Sequence, residues 1–212
     1  MDRTTTTVSA VRTVGPDAVT IDVATPADFD AAPGQFVKFS LPSVADEPRF
    51  YTISSPTVTE TVEITVEIDD DGTLGPHIAA LEAGDEVALS GPFGSAYYEG
   101  EDRVVLLAGG PGVGPAIGIA ERTLDDGGQA ALIYRDDEPI HEDRLAALAD
   151  RGVDVSVLSE DDAVGTVAAE VITGGGDEQV FVYGFADFLD VATDAIEAAG
   201  GDAGQAKVEN FG

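Results

Sequence analysis

Four consecutive residues, Arg49-Phe50-Tyr51-Thr52, carry the densest chemistry in the first half of this chain. They sit in "RFYTISSP", an aromatic and β-branched stretch that ends at Pro56 and so reads as a strand. Strand periodicity places Arg49 and Tyr51 on one face, with Phe50 and Thr52 on the other. A guanidinium matches a phosphate with two parallel hydrogen bonds, and a phenol offers a flat face for stacking. Taken alone, the same residues also suit a plain barrel strand with an incidental Arg–Tyr pair.

A second concentration lies in "VVLLAGGPGVGPAIGIA", residues 104–120. Gly109, Gly110, Gly112 and Gly114 follow an apolar strand and lead into a helix, where bare backbone and free N–H groups can meet a phosphate. Val113 belongs to the same turn, and Pro115 suits the first helical turn. The spacing is not the GxGxxG fingerprint, so tight packing is the competing reading. Past the next strand, Asp136 stands where an acid commonly binds a ribose and repels the extra phosphate of NADP. Arg135 points the other way, since it could pair with that phosphate, and a solvated Asp136–Asp137 pair is the bland alternative.

The elements that must position these residues come in two grammars. Up to about residue 100, short runs such as "TTTTVSAVRTV", "AVTIDVATP", "GQFVKFSLP", "TVEITVEI" and "DEVALSGPFG" alternate with turn residues. One short helix, "PHIAALEA", interrupts them, and the set predicts a small antiparallel barrel. From residue 103, the apolar runs "VVLLAG", "AALIY", "VDVSVL" and "VFVYG" alternate with helical segments at 114–125, 141–151, 166–173 and 186–199. That series predicts a doubly wound parallel sheet. The expected division is therefore a β-barrel domain over 1–100 and an α/β domain over 101–212, with "YEGEDR" at the joint.

Composition excludes several functions. With no cysteine there is no disulfide, thiolate nucleophile or cysteine-ligated iron–sulfur cluster in this chain. His77 and His141 have no metal-like spacing and read as loop or helix-surface residues. The longest uncharged run holds five glycines and two prolines and falls short of a membrane span. No export signal is visible, so a cytoplasmic location is expected. A net charge of −31 repels nucleic acid and anionic membranes at ordinary salt. Its short clusters, such as Asp69–Asp71, resemble those of cytoplasmic proteins of salt-accumulating, haloarchaeal-type microbes. Molar salt shortens the Debye length to about 3 Å and screens such self-repulsion.

In chain order, "PGQFVKFSLP", "RFYT", "GTLGPHIAALEAGDEVALSGPFG", "LLAGGPGVGPAIGI", "VYG" and a terminal "VENFG" resemble the ferredoxin–NADP reductase superfamily of flavoenzymes. The resemblance implies that Arg49 pairs with a flavin phosphate, Tyr51 lies against the isoalloxazine ring and Thr52 bonds near its reactive nitrogen, with Ile53 adjoining. It implies a second flavin segment over Gly72, Thr73, Leu74 and Gly75, where Gly75 replaces a usual serine. Gly110, Gly112, Val113 and Pro115 fall on the family's nucleotide loop. Tyr183 and Gly184 fall on the stretch bordering the nicotinamide, with Tyr183 in place of a cysteine and Phe185 in place of a proline. Glu209 and Phe211 match an E-x-F placed close to the flavin.

The implied activity is FAD-dependent NAD(P)H oxidoreduction, with FMN the lesser alternative and NADH weakly favoured. Electrons then leave for a separate acceptor: a ferredoxin, a partner subunit, a free flavin, a quinone or an oxygen-derived species. The rival reading is a binding, regulatory or electron-transfer module of the same fold with impaired hydride transfer. A nucleotide-binding protein with an unrelated barrel is the distant third.

Overall fold

The computed structural model describes residues 3–42, 44, 48–69 and 72–212. Part of the acidic run at 69–71 thus lies outside the described residues. The β-branched opening forms β1 (Thr4–Gly15), which turns at Pro16–Asp17 into β2 (Ala18–Ala24). There follow β3 (Phe36–Ser40), β4 (Arg49–Thr52), β5 (Thr61–Glu67), the short helix α1 (Gly75–Ala79) and β6 (Glu86–Phe93). These six strands pair antiparallel in the order β4-β3-β6-β1-β2-β5. Ile53, just past β4, bridges to Ile64 on β5, so the two ends of the order meet and the sheet curls closed. Alternate residues point inward, and Val8, Ile21, Val37, Phe39, Ile53 and Ile64 fill the interior.

The remainder is β7 (Arg103–Gly109), α2 (Val113–Asp125), β8 (Gln129–Arg135), α3 (Glu142–Asp150), β9 (Asp154–Leu158), α4 (Val164–Val171), β10 (Glu178–Gly184), α5 (Ala186–Ala198) and β11 (Lys207–Asn210). All five strands are parallel, in the order β11-β10-β7-β8-β9. Strands buried on both faces explain the unbroken apolar runs. One face packs under α2 and α3, the other under α4 and α5.

The two sheets meet through α2. Gly114 and Gly118 lie one turn apart on the helix face that touches the barrel. A Cβ on Gly114 would stand 2.3 Å from the Thr65 hydroxyl, and one on Gly118 would stand 2.5 Å from the Ser54 carbonyl. Arg144 of α3 closes the same seam. Its guanidinium donates to Glu63 on β5 at 2.7 Å, to Glu121 on α2 at 2.7 and 3.0 Å, and to the Ser54 carbonyl at 3.3 Å. Further along, Lys207 donates to the Tyr97 carbonyl at 2.8 Å and to Glu99 and Glu101 at 2.8 and 2.6 Å. It thereby ties the connecting segment to β11. No helix among the described residues is long and apolar enough to cross a membrane.

Candidate functional site

Between the two sheets runs a cleft of about 450 Å³, within the size range of ligand pockets. Its barrel wall carries Phe50, Tyr51 and Thr52 of β4, Thr65 and Glu67 of β5, and Ile68 and Asp69 beyond it. Pro111 and Pro115 of the glycine turn, with Phe185 and Phe211, make the opposite wall. Strand β4 is only four residues long and runs directly into the Ile53 bridge. Strict alternation fails there: Phe50, Tyr51 and Thr52 all reach the cleft, and Phe50 is 61% exposed.

Tyr51 is held edge-on by Phe39 at 5.8 Å, which fixes its ring in the wall. Burial pushes its hydroxyl up to about 12, with Arg49 pulling the other way, so the phenol stays protonated. Arg49 lies at the exposed start of β4. The Thr52 side chain is nearly buried at the cleft wall. Across the cleft, Phe211 is held by its N–H donating to the Gly184 carbonyl at 3.0 Å. Its ring meets Phe185 edge-on at 6.0 Å. Glu209, two residues earlier, is half-buried towards Gly94, and burial raises its carboxyl.

Gly110 adopts φ +56°, and a Cβ there would meet nothing within 4 Å, so its backbone faces open space. That space is a side cleft of about 170 Å³, lined by Gly110, Pro111, Asp17, Glu67, Asp136, Asp137 and Glu138 among others. Glu67 is raised by burial and by the neighbouring Asp136 and Asp17. Asp136 accepts from the Tyr134 hydroxyl at 3.0 Å and from the Glu138 N–H at 2.9 Å. Arg135 turns away from this acidic pocket and lies over the Phe188 ring at 5.4 Å.

Several expected site residues are not in the cleft. Tyr183 is fully buried, its ring stacks on Phe181, and its hydroxyl donates to the Ala96 carbonyl. It braces the connecting segment, and Phe185 takes the cleft position beside it. The side chains of Ile53 and Val113 are in the core. The backbone N–H and C=O of Ile53 are already bonded to Gln35 and Gly34. Gly112 and Gly184 are small for packing reasons: a Cβ would stand 2.3 Å from the Tyr183 carbonyl in one case and 2.9 Å from Phe188 in the other. Gly72, Thr73 and Leu74 make the turn that leads into α1 at Gly75, outside the cleft, and a Cβ on Gly75 would fall 2.1 Å from the Asp69 carbonyl. A serine cannot stand at 75 without reshaping that turn.

His141 also departs from expectation. It is buried at the start of α3, with its Nε2 2.9 Å from the Thr65 hydroxyl. The sequence reading missed Thr65, Glu67, Pro111 and Phe185 as cleft residues. Only Phe185, an aromatic where the family has a proline, left a local signal.

A flavin fits this arrangement. The cleft presents a fixed aromatic ring with a hydroxyl beside it, and the charge of Arg49, at the start of the same strand, acts on the Tyr51 phenol. The bare Gly110 backbone, in the side cleft that shares Pro111 with the main one, leaves room for a second group.

Comparison with known proteins agrees. Residues 5–98 match the oxidoreductase FAD-binding domain family. The chain is 31% identical over 126 residues to the toluate 1,2-dioxygenase electron transfer component of Pseudomonas putida, covering 56% of this chain and 37% of that protein. It is 30% identical over 195 residues to the 3-ketosteroid-9-alpha-monooxygenase ferredoxin reductase component of Mycobacterium tuberculosis, covering 85% and 54%. The chain thus spans about a third to a half of these curated relatives. The flavohem-like FAD/NAD binding domain of nitric oxide dioxygenase from Vibrio cholerae superposes with a TM-score of 0.81 at 23% identity, covering 98% of both chains. Residues 5–98 are thus similar to a domain that binds FAD, and the barrel, the wound sheet and the cleft between them reproduce the fold of ferredoxin–NADP reductase-like flavoproteins.

Proposed function

We propose that this chain is an FAD-dependent NADH reductase that delivers electrons to a separate acceptor, a ferredoxin or an oxygenase subunit. The observation that carries the reading is the two-walled cleft, with Tyr51 and Thr52 on the barrel side and Pro111, Pro115 and Phe211 on the other. FAD, when bound, supplies the conversion between two-electron and one-electron chemistry.

The chain's own residues bind and orient. Arg49 pairs with a coenzyme phosphate, and Tyr51 presents its flat face to the tricyclic ring. The Thr52 hydroxyl offers a hydrogen bond at the ring edge. The Gly110–Pro111 turn receives the dinucleotide, and Phe211, with Glu209 behind it, shields the ring from water. Tyr51 acts as a neutral ring, because burial holds its proton. The domain division at about residue 100 assigns one coenzyme to each sheet.

The acidic side cleft supports NADH over NADPH. Asp17, Glu67, Asp136, Asp137 and Glu138 surround the space before Gly110 and oppose an additional phosphate. Arg135, the cation that could have paired with that phosphate, is engaged on Phe188. A separate acceptor is supported by the similar proteins, which are reductase and electron transfer components of oxygenases. It is also supported by the lack of any cysteine to hold an iron–sulfur cluster in this chain.

Purified in high salt, the protein should be yellow and should bleach anaerobically on addition of NADH, and more slowly with NADPH. A colourless preparation that takes up neither FAD nor FMN would refute the reading. A yellow one that neither nucleotide bleaches would leave a flavin-binding module without hydride transfer.

A further inference from the structure

Three buried polar side chains form a chain across the seam between the sheets. His141 Nε2 lies 2.9 Å from the Thr65 hydroxyl, which lies 3.0 Å from the Ser54 hydroxyl. Ser54, Thr65 and His141 are all at most 5% exposed. Buried polar groups so arranged are satisfied only while the two sheets keep one relative position.

Thr65 is the hub. It lines the coenzyme cleft from β5 and also touches the first turn of α2, where a Cβ on Gly114 would stand 2.3 Å from its hydroxyl. The residue after Gly114 is Pro115, which lines the cleft from the opposite wall. The Thr65 hydroxyl is therefore one of the close contacts, with those of Ser54, that bring the nucleotide turn up to the flavin wall.

His141 holds an uncommon conformation for this task. Its φ is +59°, a left-handed value that non-glycine residues adopt at a cost. Its N–H donates to the Val14 carbonyl at 2.8 Å, which anchors the residue to β1 of the barrel. Burial, followed by the adjacent Arg144 and Arg12, lowers its imidazole to about 3, so the ring is neutral and pairs with a hydroxyl instead of a carboxylate.

We propose that His141, acting through Thr65, is a positioning residue that fixes the separation of the two coenzyme walls and so the rate of hydride transfer. This rests on the FAD–NADH reading above. His141→Asn tolerates the left-handed backbone but is too short to reach Thr65, Thr65→Val removes the hydroxyl at constant shape, and His141→Gln restores an amide at about the right reach.

The full chain, loaded with FAD in high salt, is mixed anaerobically with NADH. Both His141→Asn and Thr65→Val should stay yellow, with bleaching at saturating NADH slowed about 10- to 100-fold, the order expected for a sub-ångström to 1 Å misplacement. KM should stay within about twofold, because binding contacts are kept. The long-wavelength absorbance of the stacked flavin–nicotinamide pair should weaken in step. His141→Gln should recover most of both signals, and the double variant should be no worse than either single one, as for two members of one unit.

Without coenzyme, amide exchange over residues 112–118 should rise in His141→Asn and Thr65→Val but not in His141→Gln. Unchanged bleaching and absorbance in the first two variants would overturn the proposal, as would a loss confined to thermal stability. Misfolding of His141→Asn would leave Thr65→Val and His141→Gln to decide it. A wild-type chain that binds FAD but never bleaches would instead refute the hydride-transfer reading on which the proposal stands.

Discussion

Arg144→Met tests whether the seam between the sheets is held by charge. The guanidinium meets Glu63 and Glu121 at 2.7 Å each, and these side chains are about a quarter exposed or less. Removing one partner of a fully buried ion pair costs about 3–5 kcal/mol, because the other charge is left uncompensated. Partial exposure here, and a second cation on Glu63 (Arg12 at 2.7 Å), reduce the expected cost to about 2–3 kcal/mol. The reference is Arg151→Met, which breaks an exposed pair with Asp125 at 2.6 Å and should cost about 0–1 kcal/mol. Urea unfolding in molar salt, followed by two probes, gives both values at constant slope. Molar salt screens the Arg151 pair but not the seam, so the difference between the variants should persist there. Equal losses would mean that the Arg144 ion pairs do not hold the seam, and the argument from Arg144 would be wrong.

Three further outcomes are expected. Arg49→Ala should weaken FAD retention by about 10- to 100-fold, the worth of a charge-assisted hydrogen bond, with the fold intact by circular dichroism; normal flavin occupancy would mean that the phosphate lies elsewhere. Raising salt from about 0.1 M to about 1 M, which shortens the Debye length from ~10 to ~3 Å, should narrow the preference for NADH over NADPH; a ratio indifferent to salt would make the discrimination steric. Because His141 titrates near 3 when folded against 6.5 when unfolded, its contribution to stability is present above pH 6.5 and is lost as pH falls towards 3. Across pH 6 to 4, wild type should therefore lose up to ~1.4 kcal/mol per pH unit more than His141→Gln. The neighbouring Arg144, Arg12 and Glu63 are common to both chains, and parallel stability curves would show that His141 is not held neutral.

Local rules made much of the molecule legible. Alternating β-branched runs and turn residues announced the antiparallel strands, and uninterrupted apolar runs between helical segments announced the parallel sheet, because each pattern is imposed by neighbours a few residues apart. The residue types in RFYT and in the glycine turn pointed to a phosphate and a flat ring before any contact was known.

What tertiary structure alone decided is which of these residues face the cleft. Tyr183 sits on the expected strand, yet its hydroxyl is spent on Ala96, 87 residues away, and Phe185 takes the cleft position. Gly112 and Gly114 read as phosphate cradles, but the spaces beside them are taken by Tyr183 and Thr65, so only Gly110 opens on a void. His141, read as a surface residue, meets Thr65 across 76 residues, and Arg144 meets Glu63 across 81. Pairings at such separations are set by how the barrel docks on the wound sheet. No periodicity or spacing within a short window carries that information, since it arises only when the two surfaces close on each other.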